Sequence, residues 1–417
     1  MESINNTTKG PSTLITNVPL QSMVAVLVLL GAFALAIVMS RTEALLAPLW
    51  LLAVAAGFTL QRSRFCFASA FRDLFLFGSG RMMKGIIVGL AIATIGFAIN
   101  MYSKVPFPDF GVLPGEANIL PVGLSTIVGG LLFGFGMVLS GGCVSGSLYR
   151  MAEGYVASWV SMGGILIGLG LLSQTWNWWW KVSISSEPML WIPSKLSIGY
   201  GGGVILTLCS LLAAFLLFLW WESRSGLSIP HIPSKQQPDD TFEEKISILW
   251  RSVFVRGWPA VVGGGVLGVI GVLMYMVHMP WGVTGELARL SNTIMSALNF
   301  APPEAQGLSD IGGCSGLSEE TGLFTHTFAV TVGVLPGSLV GALFANEFKL
   351  RFPRNAKRYL QALGGGVIMG YGAGLAIGCT VGAFFSSIPS LSISGWLFAF
   401  ALSGGAFLGV QVIKRVA

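Results

Sequence analysis

GGLLFGFGMVLSGGCVSG occupies residues 129–146, and GGVIMGYGAGLAIGCTVG occupies residues 365–382. At a constant offset of 236 the two stretches share six glycines and a cysteine: Gly129/Gly365, Gly130/Gly366, Gly134/Gly370, Gly136/Gly372, Gly142/Gly378, Cys143/Cys379 and Gly146/Gly382. Each is an apolar run with glycines at helical spacing, and each ends in Gly-Cys-x-x-Gly. Small residues so spaced let membrane helices approach closely. The duplicated ending predicts a two-fold pseudosymmetric membrane site, to which each half brings one thiol, Cys143 and Cys379, flanked by Gly142, Gly146, Gly378 and Gly382.

The rest of the chain fits a membrane setting. It has 417 residues, 53% of them hydrophobic and only 10% charged, with 56 Gly and 13 Trp. Soluble domains carry about 25% charged residues, and the repeated apolar runs have the length of membrane helices. The net charge of +6 reads as topology. The basic residues lie in loops without aromatic interleaving, so nucleic acid is not an expected partner. No phosphate-binding, dinucleotide or nucleophile-elbow motif sits in a strand–helix context. The five cysteines, Cys66, Cys143, Cys209, Cys314 and Cys379, show neither CxxC nor Cys/His ligand spacing. His231, His278 and His326 are scattered along the chain. No metal or cofactor is expected, and no disulfide framework.

In chain order, residues 1–20 read as a polar, disordered tail rather than a signal peptide. Residues 21–221 form a first transmembrane half, 222–257 a Pro- and charge-rich linker, and 258–417 a second half. About ten spans are expected, near 22–40, 44–60, 83–101, 122–141, 154–173, 199–221, 258–277, 323–345, 359–378 and 392–412. Two segments are too polar for lipid. QRSRFCFASAFRDLFLFG (61–78) carries Arg62, Arg64, Arg72 and Asp73, and reads as a re-entrant half-helix held inside the protein. WGVTGELARLSNTIMSALNF (281–300) is a second interrupted segment. WNWWWK (176–181) reads as an interfacial belt within a loop 174–198.

Lys and Arg cluster at Arg81/Lys84, in the linker, at residues 349–358 and at Lys414/Arg415, which places both termini on the cytoplasmic side. Cys143 then follows the inner end of its span and Cys379 the outer end of its own, so the two copies are inverted, as in many secondary transporters. A second match agrees: Gly57-x-Thr59 with Arg64, and Gly282-x-Thr284 with Arg289. In that register Cys66 falls opposite Ser291 and has no mate.

Helix N-termini in broken membrane helices present free amides to an anion. Thiols add weak, polarisable donors. Together they suit a soft, sulfur-containing anion, although glycine and cysteine also serve as plain helix packing. Cations beside Cys66 would activate its thiol, and intramembrane charges point to function. The arginines can equally be partners of Asp73 or of a neighbouring segment. Arg64 and Arg289 either attract an anion or bind each repeat to its neighbour. Cys209, mid-span in ILTLCSLLAAF, reads as packing, and Cys314 lies in an outer loop.

At GFTLQRSRFCFASAFRD (57–73), GGLLFGFGMVLSGGCVSGSLYRMAEG (129–154) and GYGAGLAIGCTVGAFFSSIPSLSISGWLFAFALSGG (370–405), and more weakly at WGVTGELAR (281–289), the chain resembles the YeeE/YedE sulfur-transport family of bacteria. The resemblance implies an inverted-repeat, all-α inner-membrane transporter, not an enzyme, that takes up thiosulfate along a path of thiols. The family cysteines fall on Cys66, Cys143 and Cys379. Phe71-Arg72-Asp73 and Leu148 to Gly154 look closer to the YedE branch, associated with selenium metabolism, which leaves other sulfur or selenium oxyanions open as substrate. Arg150 and Glu153 become candidates to line the path or form an ion pair. A small cytoplasmic sulfurtransferase of the TusA/YeeD type is an implied partner, expected as a separate protein. Two other classes remain: a sulfur-transfer enzyme with a persulfide on Cys66, and a membrane protein whose cysteines only pack.

Overall fold

The structure, a computed structural model, describes residues 20–108, 113–224, 250–308, 311 and 322–416. Its first part holds α1 (Leu20–Thr42), α2 (Leu46–Ser63), α3 (Phe67–Phe77), α4 (Arg81–Lys104), α5 (Leu124–Ser140), α6 (Val144–Ala152) and α7 (Val156–Val182). The remainder holds α8 (Gly199–Arg224), α9 (Ala260–Val277), α10 (Thr284–Ala297), α11 (His326–Val332), α12 (Val334–Phe344), α13 (Ala356–Leu375), a π-helix (Thr380–Ser386) and α14 (Ile393–Val416). The fold is all-helical, with no named strand among the described residues.

Eight of the helical stretches are long and apolar enough to cross a membrane, or up to nine if α13 and the π-helix, bent by 46°, make one span. The expected figure of about ten included α2, which ends in Gln61-Arg62-Ser63 and falls outside that set. The half-helix expected within 61–78 is α3, only 11 residues long and buried on its first turns. The expected loop 174–198 is a correction, because α7 continues through the tryptophans to Val182. Trp176 Nε1 donates to the Gln306 carbonyl at 3.0 Å and Trp179 Nε1 to the Tyr371 hydroxyl at 2.8 Å, so part of this belt is tied into the protein. The linker lies in part outside the described residues, as does Cys314.

The central contact is α5 against α13. A Cβ on Gly129 would stand 2.9 Å from the Gly372 carbonyl oxygen, and one on Gly372 would stand 2.6 Å from that of Gly129. Gly136 and Gly365 repeat the relation at 2.6 and 2.8 Å. The two helices are therefore antiparallel and backbone-close, a distance at which Cα–H···O contacts contribute about 0.5–1 kcal/mol each. Outside this pair, α7 packs on α13 as α14 packs on α5. The same correspondence runs outward: α9 and α8 pack on α4, and α2 and α1 pack on α12. Likewise α3 touches α14 and α10 touches α7.

Candidate functional site

Both copies of Gly-Cys-x-x-Gly end one helix and start another. α5 stops at Gly141, whose φ of +84° is the left-handed corner that glycine adopts without penalty. In the second copy the same corner falls on Ile377, at φ +54°. Two residues later the chain turns extended, and Cys143 and Cys379 become the N-caps of α6 and the π-helix. The Gly146 N–H donates to Cys143 Sγ at 3.3 Å, and the Val381 N–H to Cys379 Sγ at 3.4 Å. Cys143 Sγ also lies 3.4 Å from the Ser145 hydroxyl.

Cys66 holds the same position on a third short helix. It is the N-cap of α3, with φ −143° and ψ 120°. The carbonyls of Cys66, Cys143 and Cys379 accept the first intrahelical bonds, from Ala70, Ser147 and Ala383 at 3.1, 2.8 and 2.7 Å. All three cysteines are buried. The structure thus places each at the positive end of a short helix inside the protein, where the first-turn amides have no intrahelical acceptor.

Cys143 meets Cys66 at Gly146: a Cβ there would stand 2.9 Å from Cys66 Sγ and 3.2 Å from Cys143 Sγ. Gly142 and Gly378 lie over the first turns they precede, their Cβ positions 3.6 Å from the Ser147 nitrogen and 2.8 Å from the Ala383 nitrogen. The Gly382 carbonyl accepts from Asn118 Nδ2 at 2.5 Å. Phe67, next to Cys66, packs on Phe384 and Phe385 with ring centres 6.1 and 5.7 Å apart, which joins the start of α3 to the π-helix.

The arginines near these breaks are engaged. Arg150 Nη1 donates to the Gly141 carbonyl at 2.5 Å, and Arg358 donates to the Leu139 and Ser140 carbonyls at 3.0 and 3.1 Å, so two cations cover the C-terminal end of α5. Arg64 pairs with Glu347 at 3.0 Å, and buried Arg62 reaches the same carboxylate at 3.5 Å. Gln61 Nε2 donates to Glu347 at 3.0 Å and to Glu153 at 3.1 Å. Burial pushes the Glu153 carboxyl above the usual carboxylate range. Arg72 pairs with Asp73 at 2.9 Å, and Arg289 with Glu286 at 2.6 Å. Arg62, Arg64 and Arg81 line a cavity of about 480 Å³ with Asp73.

Other features were out of reach of the sequence. Thr380, beside Cys379, and Thr284 are buried with hydroxyls that have no hydrogen-bond partner among the described residues. Their only signal was Thr284's place in the Gly-x-Thr match. The histidines read as scattered come together in part, as the His278 and His326 rings lie 4.2 Å apart and His326 Nε2 is 3.1 Å from Glu43 Oε1. Cys209 is exposed on α8.

A family model described as sulphur transport matches residues 62–408. The thiosulfate transporter TsuA of Spirochaeta thermophila is 31% identical over 352 residues, covering 82% of this chain and 91% of that protein. The thiosulfate transporter TsuA of Escherichia coli is 25% identical over 342 residues, with 82% and 87% covered. The probable transporter YedE of Escherichia coli is 36% identical over 203 residues, 48% of this chain and 46% of its own length.

Proposed function

Because the chain belongs to the sulphur-transport family, we propose that it takes up thiosulfate, or a related sulfur or selenium oxyanion, across the bacterial inner membrane. The observation that carries this reading is the threefold placement of a buried thiol at the N-cap of a short internal helix, at Cys66, Cys143 and Cys379. Such a cap offers an anion a helix dipole, free amides and a polarisable S–H donor, and nothing that would bind a hard cation. The similarity to two proteins named thiosulfate transporters supports the substrate class.

The anion comes from the outer side to Cys379, passes to Cys143 and leaves past Cys66 toward the cavity lined by Arg62 and Arg64. Each thiol holds it through S–H contacts and forms no lasting bond. On the inner side a small sulfurtransferase of the TusA/YeeD type receives it. Both termini are cytoplasmic. The two halves are an inverted repeat, a reading supported by the reciprocal Gly129–Gly372 and Gly136–Gly365 contacts. The matched packing partners support α8 as the counterpart of α1, a reading in which the second half begins before the linker.

A persulfide-forming enzyme would need Cys66 to meet a carrier protein, and its residue is only 1% exposed. The test is uptake of labelled thiosulfate, sulfate and selenium analogues by the purified protein in liposomes. Thiosulfate or a selenium analogue should enter and compete, and sulfate should not. Cys143→Ala and Cys379→Ala should abolish uptake while Cys209→Ala leaves it intact. Full activity in either of the first two would sink the thiol path.

A further inference from the structure

Two of the cysteines differ from the rest in that their sulfurs border one point. The Cβ position of Gly146 lies 2.9 Å from Cys66 Sγ and 3.2 Å from Cys143 Sγ. Apart from the backbone of α6 and the residues flanking Gly146, nothing else among the described residues comes within 4 Å of it. Both are free thiols, on residues 1% and 0% exposed. A disulfide forms only where two cysteine side chains converge, and these two converge on the side chain that Gly146 lacks. Cys379 caps the π-helix and Cys209 is exposed on α8, and neither sulfur reaches this point.

The two sulfurs are not equivalent. Cys143 Sγ is engaged by the Gly146 N–H at 3.3 Å and lies 3.4 Å from the Ser145 hydroxyl. Cys66 makes no side-chain cap bond to α3. It also stands at the N-terminal end of that helix, where negative charge is stabilised. Cys66 is therefore the sulfur better placed to attack, and Cys143 the one placed to resolve.

We propose that Cys66 and Cys143 are a redox-sensitive pair, which a small peroxide converts to a disulfide that closes the thiol path. The closure rests on the transport reading above, whereas the chemistry of the pair does not. Hydrogen peroxide is uncharged and smaller than thiosulfate, so a path that admits the anion admits it. The Cys66 thiolate attacks one peroxide oxygen. An S–O bond forms, the O–O bond breaks, and the departing hydroxide takes the proton lost from the thiol and leaves as water. The Cys143 sulfur then displaces the hydroxyl of the Cys66 sulfenic acid. The S–S bond forms, the S–O bond breaks, and the second thiol proton leaves with the hydroxyl as a second water. The two sulfurs together give up two electrons, and the peroxide accepts both. A reducing dithiol reverses the change by exchange and is itself oxidised. While it lasts, the bond ties α3 to α6, fills the space over Gly146 and removes two S–H donors.

The test uses the purified full chain in three states: untreated, treated with hydrogen peroxide, and treated and then reduced with dithiothreitol. Remaining thiols are alkylated, the protein is digested, and linked peptides are identified by mass spectrometry. Uptake of labelled thiosulfate into liposomes is measured for the same three samples. Peroxide should link Cys66 to Cys143 and leave Cys379 open to alkylation. Uptake should fall about tenfold or more, as expected when donors to a charged group are lost, and should return on reduction. Cys379→Ala, read by mass spectrometry alone, should form the same link. Absence of the link, a link with unchanged uptake, a loss that reduction does not reverse, or a link that disappears in Cys379→Ala would each overturn the proposal. A link that forms and reverses in a protein that takes up no thiosulfate or selenium analogue even when reduced would leave the redox pair standing and remove the transport reading.

Discussion

Cys66 and Cys143 turn their sulfurs toward a single residue: a methyl group on Gly146 would stand 2.9 Å from the first and 3.2 Å from the second. This joins α3 to α6 through two thiols that lie 77 positions apart in the chain. Gly146→Ala should therefore disturb both sulfurs at once. Its Cβ meets flexible side-chain ends and no backbone, so the fold should survive, with an unchanged elution profile, while uptake falls by about tenfold, equivalent to about 1.4 kcal/mol on the rate-limiting barrier. Uptake at the wild-type rate would show that the space between the thiols is not used.

The α5–α13 contact predicts a contrast among glycines of one helix. Gly365→Ala would press a methyl to 2.8 Å from the Gly136 oxygen, against backbone that cannot yield. Overpacking of that kind costs about 1–3 kcal/mol. Gly364, the preceding residue, has nothing among the described residues within 4 Å of its Cβ position. Gly364→Ala should be neutral or stabilising by up to about 1 kcal/mol, from helix propensity. Thermal melts in detergent check this: the first variant should melt lower than wild type and the second should not. Equal losses in both would argue against the close approach.

Gly141 and Arg358 should act as one unit. An alanine at Gly141 would hold a left-handed φ of +84°, at a cost of about 1–2 kcal/mol, and its Cβ would collide with Arg358 Nη2. Arg358→Ala separately removes the donors to Leu139 and Ser140. Each variant should lower the melting temperature. The double variant should lose less than the two losses added together, because Gly141→Ala already displaces the guanidinium. Strict additivity would mean that the cap survives the substitution.

The Glu153 carboxyl gives a dependence on pH. Burial raises its affinity for a proton, with Arg150 and Arg351 opposing the shift. The folded state then binds that proton more tightly than the unfolded chain does. Its contribution to stability is present at and below the ordinary glutamate range, near about 4.3, and declines as pH rises through the folded value. Glu153→Gln can still accept from Gln61 and carries no charge. It should melt higher than wild type at neutral pH, with the gap closing as pH falls. Parallel melting curves for the two proteins across pH would remove Glu153 from the account.

Some of this was legible in the sequence. The glycine spacing and the Gly-Cys-x-x-Gly endings marked where α5 and α13 break, since those residues set local backbone geometry. The charges in 61–78 marked α3 as internal, because lipid would not take them. The partnership of Cys66 with Cys143 was not legible. It comes from how α6 packs beside α2 and brings Gly146 to Cys66, which no local spacing encodes, and the sequence had paired Cys143 with Cys379. Arg64 and Glu347 lie 283 positions apart in the chain, and only the fold brings them together. The extension of α7 was missed because a run of tryptophans reads as a membrane boundary, whereas Trp176 and Trp179 find hydrogen-bond partners inside the protein.

The two corners differ in one residue. Gly141 can move between mirror-image backbone wells almost freely, whereas Ile377, β-branched and held at φ +54°, stores about 1–2 kcal/mol of strain. One end of the molecule therefore turns on a compliant joint and the other on a loaded spring. Two copies of one motif thus differ in the stiffness of their corners, and the stiffer one, at Ile377, lines a cavity between α7, α10 and the end of α13.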